Sequence, residues 1–139
     1  MERLEEQSHE AEGLARMLEK LLEDWSARSG IAVEIWALPK GDVPGLATRN
    51  VFAAVQEALA GIERHGRART VSIAATLAAS GLRLTVSDDG DGLADGQADR
   101  EVAVMKACFA EIGGELTVNR VPGEGSTITG IVPARALRS

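Results

Sequence analysis

One stretch of the chain concentrates residues that could do chemistry. The segment LTVSDDGDGLADG, residues 84–96, ends an apolar run with four aspartates and places glycines between them. Carboxylates at this density can ligate a cation, accept hydrogen bonds from a base or lie in solvent, and glycines let a backbone approach a ligand closely. The segment alone therefore leaves three interpretations open: a metal loop, a nucleotide pocket or a solvated acidic turn.

The metal loop is the weakest of these interpretations. A calcium loop of the EF-hand type needs ligands at alternating positions, a glycine at the sixth and a glutamate at the twelfth. The frame that puts Gly92 sixth puts Ala98 twelfth, and no other frame fits. Zinc fits no better, because His9, His65 and Cys108 lack the spacing of zinc ligands. The nucleotide pocket and the solvated turn remain.

The composition excludes several classes of protein. The 139 residues suffice for one domain with a core, and the net charge of −6 argues against non-specific binding to nucleic acid or to an anionic membrane. Cys108 is the single cysteine, which excludes an internal disulfide and is typical of a reducing compartment. The charged N-terminus and the lack of an apolar run of roughly 18 residues predict neither a signal peptide nor a membrane span. A cytoplasmic location is expected.

The hydrophobic periodicity predicts the element order α-β-α-β-β-α-β-β. Helices are expected over residues 2–28, 47–65 and 100–112, and strands over residues 31–38, 70–78, 82–88, 115–121 and 126–133. The second and third helices each carry a core-facing apolar stripe, at Val51, Val55, Ala58, Leu59 and Ile62 and at Val102, Met105, Phe109 and Ile112. The strands come in hairpins with helices between them. The predicted fold class is therefore α+β, a two-layer α/β sandwich with a mixed, mainly antiparallel sheet and helices on one face.

The N-terminal helix is expected to form a segment of its own. We assign residues 1–29 to it, as a linker or a dimerisation or docking segment, and residues 30–137 to the main domain. Its apolar stripe is wide enough to contact both that domain and a partner, and consists of Leu14, Met17, Leu18, Leu21, Leu22 and Trp25. A stripe that packs entirely on its own sheet is the alternative, and the sequence favours neither.

Four segments in a fixed order narrow the interpretation of the acidic stretch. They are EALAGIERH at 57–65, DDGDG at 88–92, EIGGELTV at 111–118 and PGEGST at 122–127. Together they resemble the ATP-binding catalytic domain of sensor histidine kinases, in the GHKL ATPase superfamily, with its EALxNxxxH helix, DxGxG box and GxGT box. The nearest subgroup is the one paired with LuxR-type response regulators. The resemblance covers roughly residues 14–135 and implies the GHKL form of the sandwich.

The resemblance implies a purine pocket around the acidic stretch. Asp88 would accept a hydrogen bond from the exocyclic amine of adenine. Gly90 and Gly92 would leave room for the ring against the backbone, where a side chain would block it. Ser126 and Thr127 would bridge to the base through water.

The helix that would face the phosphates departs from the family pattern. Glu57, implicated in phosphoryl transfer, is present and is the catalytic candidate if the domain is active. Gly61 stands where the family has the Asn that helps hold Mg²⁺, so no metal ligand is predicted there. Asn50 lies eleven residues earlier, roughly 16 Å along a helix, and cannot replace it. Arg64 and His65 share the Glu57 face and are expected to contact phosphates, with a solvated helix end as the alternative.

The segment that would cover the phosphates also departs from the pattern. The family places a glycine-rich box before its third helix, where backbone N–H groups meet phosphate. Residues 98–104 read ADREVAV and contain no glycine. Only one helix precedes the domain, whereas the family's phosphoacceptor histidine lies on a two-helix dimerisation domain.

These departures set the functional expectation. We expect a degenerate histidine kinase-like domain of bacterial two-component signalling that binds ATP and Mg²⁺ weakly or not at all. It would act through a protein partner: a response regulator, a kinase or a second copy, with a homodimer through the N-terminal helix. No nucleic acid and no membrane contact by this segment are expected. There are two alternatives. In the first, the chain is the excised catalytic domain of an active sensor kinase and forms the cytoplasmic part of that sensor. In the second, it is an anti-sigma-factor-type serine kinase.

Overall fold

The computed structural model describes residues 2–90 and 99–138, with the backbone alone for residues 2–12. It contains the following elements in chain order: α1 (Glu2–Ser29), β1 (Ala32–Ala37), α2 (Gly45–Gly61), a π-helical turn (Ile62–Gly66), β2 (Thr70–Ala78), β3 (Gly81–Asp88), α3 (Asp99–Glu111), β4 (Glu115–Val121), β5 (Gly125–Pro133) and α4 (Ala134–Leu137). The predicted order is confirmed, and the bounds of β2 and β4 agree to the residue.

The five strands form one sheet in the order β1-β2-β3-β5-β4. β1 pairs parallel with β2, and every other neighbouring pair is antiparallel. The β2–β3 hairpin is the ASG hairpin of the sequence, and it pairs in register from Val71 opposite Asp88 to Ala78 opposite Gly81. This mixed, mainly antiparallel sheet confirms the predicted α+β class.

One face of the sheet is buried beneath the helices. Alternate residues of the three central strands face this core, because side chains in a strand point to opposite sides in turn. Fully buried examples are Val71, Ile73, Ala75, Leu82, Leu84, Val86, Ile128 and Val132. The stripe predicted on α2 is buried throughout, at Val51, Val55, Ala58, Leu59 and Ile62. This packing places the ends of β3 and β5 under the helical layer.

Most of the N-terminal stripe packs into the same core. Leu14, Leu18, Leu22 and Trp25 are each at most 2% exposed, and α1 packs mainly on α2. Met17 is only partly covered and lines a groove on the outer side of α1. The division of the chain into a helical segment and a main domain stays a prediction.

The structure differs from the sequence prediction at three places. Helix α1 is interrupted at Gly13, whose φ of 81° and ψ of −170° are not helical. The α-helical geometry of α2 ends at Gly61 rather than at His65, because the next residues form a π-helical turn. Pro133, which fixes its own φ near the helical value, precedes the short helix α4, which the sequence did not predict.

Candidate functional site

Asp88 and Ser126 meet where β3 ends and β5 begins. They are partners in the antiparallel register, and both lie on the helix-covered side of the sheet, two residues from the buried Val86 and Ile128. The Ser126 hydroxyl donates to Oδ2 of Asp88 at 2.5 Å, and the backbone N–H of Gly90 donates to Oδ1 at 2.9 Å. An ionised carboxylate has about four acceptor positions, so Asp88 can accept a further hydrogen bond from a base.

Gly125 lets β5 approach β3 at this point. Its φ is +111°, and a Cβ atom added there would lie 2.1 Å from the carbonyl oxygen of Asp88. Any other residue would therefore push the two strands apart and move Asp88. The sequence pattern flagged this glycine as part of the terminal box, and the structure supplies the steric reason.

The structure does not bring every predicted pocket residue to Asp88. Thr127 is one residue along β5, so its side chain lies on the opposite face of the sheet, where Oγ1 is 3.2 Å from the Ser87 hydroxyl. In this position it does not reach the helix-covered face where Asp88 and Ser126 lie. Gly90 is buried beside Asp88, and Gly92 lies outside the described residues.

Asp89 has a structural role that the sequence did not indicate. Its Oδ1 atom accepts hydrogen bonds from the backbone N–H groups of Arg69 at 2.8 Å and Thr70 at 2.9 Å. These bonds, first from Thr70 and then from Arg69, hold the pKa of the Asp89 carboxyl below its usual value. The side chain thus ties the end of β3 to the start of β2, beside the pocket.

A second group of charged residues lies between α2 and α3. Glu101, in the first turn of α3, is 5% exposed. Its Oε1 atom lies 3.3 Å from Nη1 of Arg64 and 3.4 Å from Nε2 of His65. Burial raises the pKa of Glu101, but its own backbone N–H and then the His65 and Arg64 side chains outweigh this effect, and the pKa lies below its usual value.

The π-helical turn orients the Arg64 and His65 side chains. It spans Ile62–Gly66 and ends at Arg67, which has a left-handed φ of 51°. Within the turn, Glu63 points to α1 and accepts a hydrogen bond of 3.0 Å from Nε1 of Trp25. Arg64 and His65 point the other way, to α3. Such turns are frequent at functional sites.

The Gly61 position offers no ligand, although Glu57 lies one helical turn before it on α2. Burial raises the pKa of the Cys108 thiol, and the negative charges of Glu111 and Glu57 raise it further. Gly61 is buried and has no side-chain oxygen for a metal. Asn50 donates to the backbone oxygen of Leu46 at 3.0 Å, within its own helix. In the described part of the chain, no three His, Cys, Asp or Glu residues are grouped so as to hold a metal ion.

Sequence reasoning missed Glu101, although a signal was present. The apolar stripe predicted on α3 includes Met105 and Phe109, which are buried. Glu101 lies one helical turn before Met105 on the same face, so the stripe places a carboxylate toward the core. The Arg64 and His65 side chains, in the π-helical turn after α2, supply the polar partners that such a buried carboxylate requires.

Comparisons with known proteins show sensor histidine kinases as relatives of this chain. The chain is 32% identical over 127 residues to the sensor histidine kinase LiaS of Bacillus subtilis, covering 89% of this chain and 35% of that kinase. It is 29% identical over 118 residues to the sensor histidine kinase LnrJ of the same species, covering 83% of this chain and 29% of that kinase. The chain thus spans about a third of the length of these relatives. No family model matches.

Solved structures show the same fold. The histidine kinase domain of the blue-light activated kinase of Erythrobacter litoralis EL346 superimposes with a TM-score of 0.79 at 22% identity, covering 91% of this chain and 67% of that one. The ATP-binding domain of PrrB from Mycobacterium tuberculosis gives 0.67 at 18% identity, covering 87% and 93%. The chain is a GHKL histidine kinase-like domain.

The described residues differ between the two halves of the site that the kinase resemblance implies. Where the resemblance places adenine, Asp88 accepts hydrogen bonds from Ser126 and Gly90 and keeps free acceptor positions. Where the resemblance places phosphate and metal, Gly61 has no side-chain oxygen, and the Glu101 carboxylate contacts Arg64 and His65. Among the helices that the structure describes, none is long and apolar enough to cross a membrane.

Proposed function

We propose that this kinase-like domain is degenerate, that it binds Mg²⁺–ATP weakly or not at all, and that it acts in two-component signalling through protein contacts. The contact between Glu101 and the Arg64–His65 pair carries this proposal. It adds a buried negative charge where the resemblance expects polyphosphate, and like charges repel strongly at short range in a covered site. The absence of a side-chain oxygen at Gly61 removes the Mg²⁺ that would offset this repulsion.

The partner of such a domain is a response regulator, a kinase or a second copy of the chain. The relatives that match the chain are sensor histidine kinases. The kinase subgroup that the chain resembles is paired with response regulators of the LuxR type. The same proposal includes a homodimer through α1. It also includes a cytoplasmic location, in which the domain forms the cytoplasmic part of a membrane sensor.

Calorimetry with ATP and with ADP, each with and without Mg²⁺, tests the proposal. We expect no micromolar affinity for ATP with Mg²⁺ and little difference between the two nucleotides, because the third phosphate and the metal find no partners. Micromolar ATP binding that depends on Mg²⁺ would refute the degenerate assignment.

An active catalytic domain is the second candidate, because the adenine side is intact around Asp88 and Glu57 is present. On this alternative, the domain would phosphorylate a histidine on a dimerisation domain supplied in trans. The test incubates the chain with labelled ATP and either that dimerisation domain or an anti-sigma-factor antagonist as the acceptor. The acid stability of the phosphoamino acid then separates a histidine kinase from a serine kinase. We expect no label on either acceptor.

A further inference from the structure

Arg64 and His65 already have an anionic partner in the fold. The buried Glu101 carboxylate lies 3.3 Å from the Arg64 guanidinium and 3.4 Å from the His65 ring. The sequence predicts that these two side chains, which share the helix face of Glu57, contact the phosphates of a nucleotide. The anion that they meet in this structure is instead a side chain of the same chain.

We propose that Glu101 occupies the anion position of the Arg64–His65 pair, so that the site takes an uncharged purine nucleoside in preference to a nucleoside phosphate. The nucleoside part rests on the proposed function, because it places the base at Asp88. The part that concerns Glu101 and phosphate is independent of how the base is bound.

Electrostatics give the direction of this preference. A phosphate that approaches the pair must either share it with Glu101, at a repulsive distance, or displace Glu101. Displacement leaves a buried carboxylate without its hydrogen-bonding partners, which is unfavourable. Glu101 also occupies the first turn of α3, where the helix N-terminus would otherwise favour a phosphate. Adenosine has no charge and meets neither obstacle.

Glu101→Gln removes the charge and keeps the shape of the side chain. The glutamine amide oxygen keeps an acceptor for the Arg64 and His65 side chains, which lie 3.3 and 3.4 Å from the carboxylate, so no buried group loses its partner and the variant is expected to fold. Glu111→Gln is the matched control, because it makes the same change of charge at an exposed position at the other end of α3.

The first experiment titrates the full chain with inorganic pyrophosphate and follows the His65 ring by NMR. We expect a saturable shift in Glu101→Gln, and none in the wild type or in Glu111→Gln. An equal response of the wild type and Glu101→Gln, whether present or absent in both, overturns the proposal. This readout does not involve adenine, so it tests Glu101 separately from the base pocket.

The second experiment compares the affinities of adenosine and ADP without Mg²⁺ by calorimetry. The wild type should prefer adenosine, and Glu101→Gln should reduce that preference about tenfold, which corresponds to about 1.4 kcal/mol. Glu111→Gln should behave as the wild type does. A wild type that prefers ADP overturns the proposal. A chain that binds no adenosine overturns the nucleoside assignment and the adenine part of the proposed function, whereas the pyrophosphate result still decides the role of Glu101.

Discussion

The Ser126 hydroxyl donates a 2.5 Å hydrogen bond to Oδ2 of Asp88 and joins the ends of two neighbouring strands beneath the helical layer. The other carboxylate oxygen is held by the Gly90 amide. The Asp88 carboxylate is therefore fixed in orientation before any ligand arrives, which lowers the entropy cost of binding a base.

Ser126→Ala should weaken adenosine binding, because Asp88 loses the donor that orients it. The free energy of unfolding should fall by about 1 kcal/mol, as for one hydrogen bond. Amide NMR at Gly90 with millimolar adenosine measures the binding. Ser80→Ala, an exposed serine in the β2–β3 turn, is the control and should change neither quantity. If the Gly90 amide of the wild type does not shift with adenosine, the pocket is closed and this prediction fails.

Gly125→Ala should destabilise the domain more than Gly123→Ala does. Both glycines have positive φ, but an added Cβ meets nothing within 4 Å at Gly123 and lies 2.1 Å from the Asp88 carbonyl oxygen at Gly125. Gly123→Ala should cost about 1 kcal/mol from backbone strain, and Gly125→Ala about 1–3 kcal/mol more from overpacking. Urea unfolding of the two variants gives the comparison. Equal losses would show that strand approach at Asp88 is not tight.

Periodicity was sufficient to predict the sheet and the helical stripes, because burial on one face imposes a period on the residues that point inward. The β2–β3 hairpin and the buried Val51–Ile62 stripe on α2 are examples. Periodicity could not predict the π-helical turn, because such a turn and an ordinary helix end contain the same types of residue. It also could not pair Glu101 with His65, because two residues 36 positions apart meet only through the packing of α2 on α3.

The resemblance could assign residues to the purine pocket, but it could not show which of them share a face of the sheet. Asp88 and Ser126 lie on the same face and are hydrogen-bonded, whereas Thr127 lies on the opposite face, one residue further along β5. The role of these residues in binding stays a prediction. A motif specifies neighbouring residues without stating which of them points inward. The register between β3 and β5 supplies that information.

Asp89 should make the stability of the domain depend on pH in acid. Its pKa in the folded chain lies below the usual 3.8, so its contribution is complete above that value and is lost as the pH falls through the lower folded pKa. Because Asp89 is exposed, Asp89→Asn should cost about 1 kcal/mol or less near neutral pH, and nothing in strong acid. Thermal unfolding across this range measures the difference. Asp42→Asn, in an exposed loop, is the control. A loss of stability in Asp89→Asn, relative to the wild type, that grows as the pH falls would contradict the assignment.

Self-association through α1 should depend on the part of its stripe that the core leaves uncovered. Met17, Leu21 and Phe52 line a groove of about 590 Å³ on the outer side of the helix. Met17→Glu should therefore weaken a dimer in sedimentation velocity, whereas Ala107→Glu, which introduces a glutamate at an exposed position of α3, should not. Strictly monomeric sedimentation at high concentration, for the full chain and for a chain that lacks residues 1–12, would count against a dimer.

The central claim is that the phosphate side of the site has lost its metal ligand and its cradle while the adenine side persists. Fluorescent-ATP titration of the wild type and of Gly61→Asn, with and without Mg²⁺, tests it most directly. The wild type should show no micromolar binding and no effect of Mg²⁺. Gly61→Asn should improve affinity about tenfold, or about 1.4 kcal/mol, only when Mg²⁺ is present, with no detectable phosphotransfer. Micromolar, Mg²⁺-dependent binding by the wild type, or full recovery of tight binding by Gly61→Asn alone, would contradict the account.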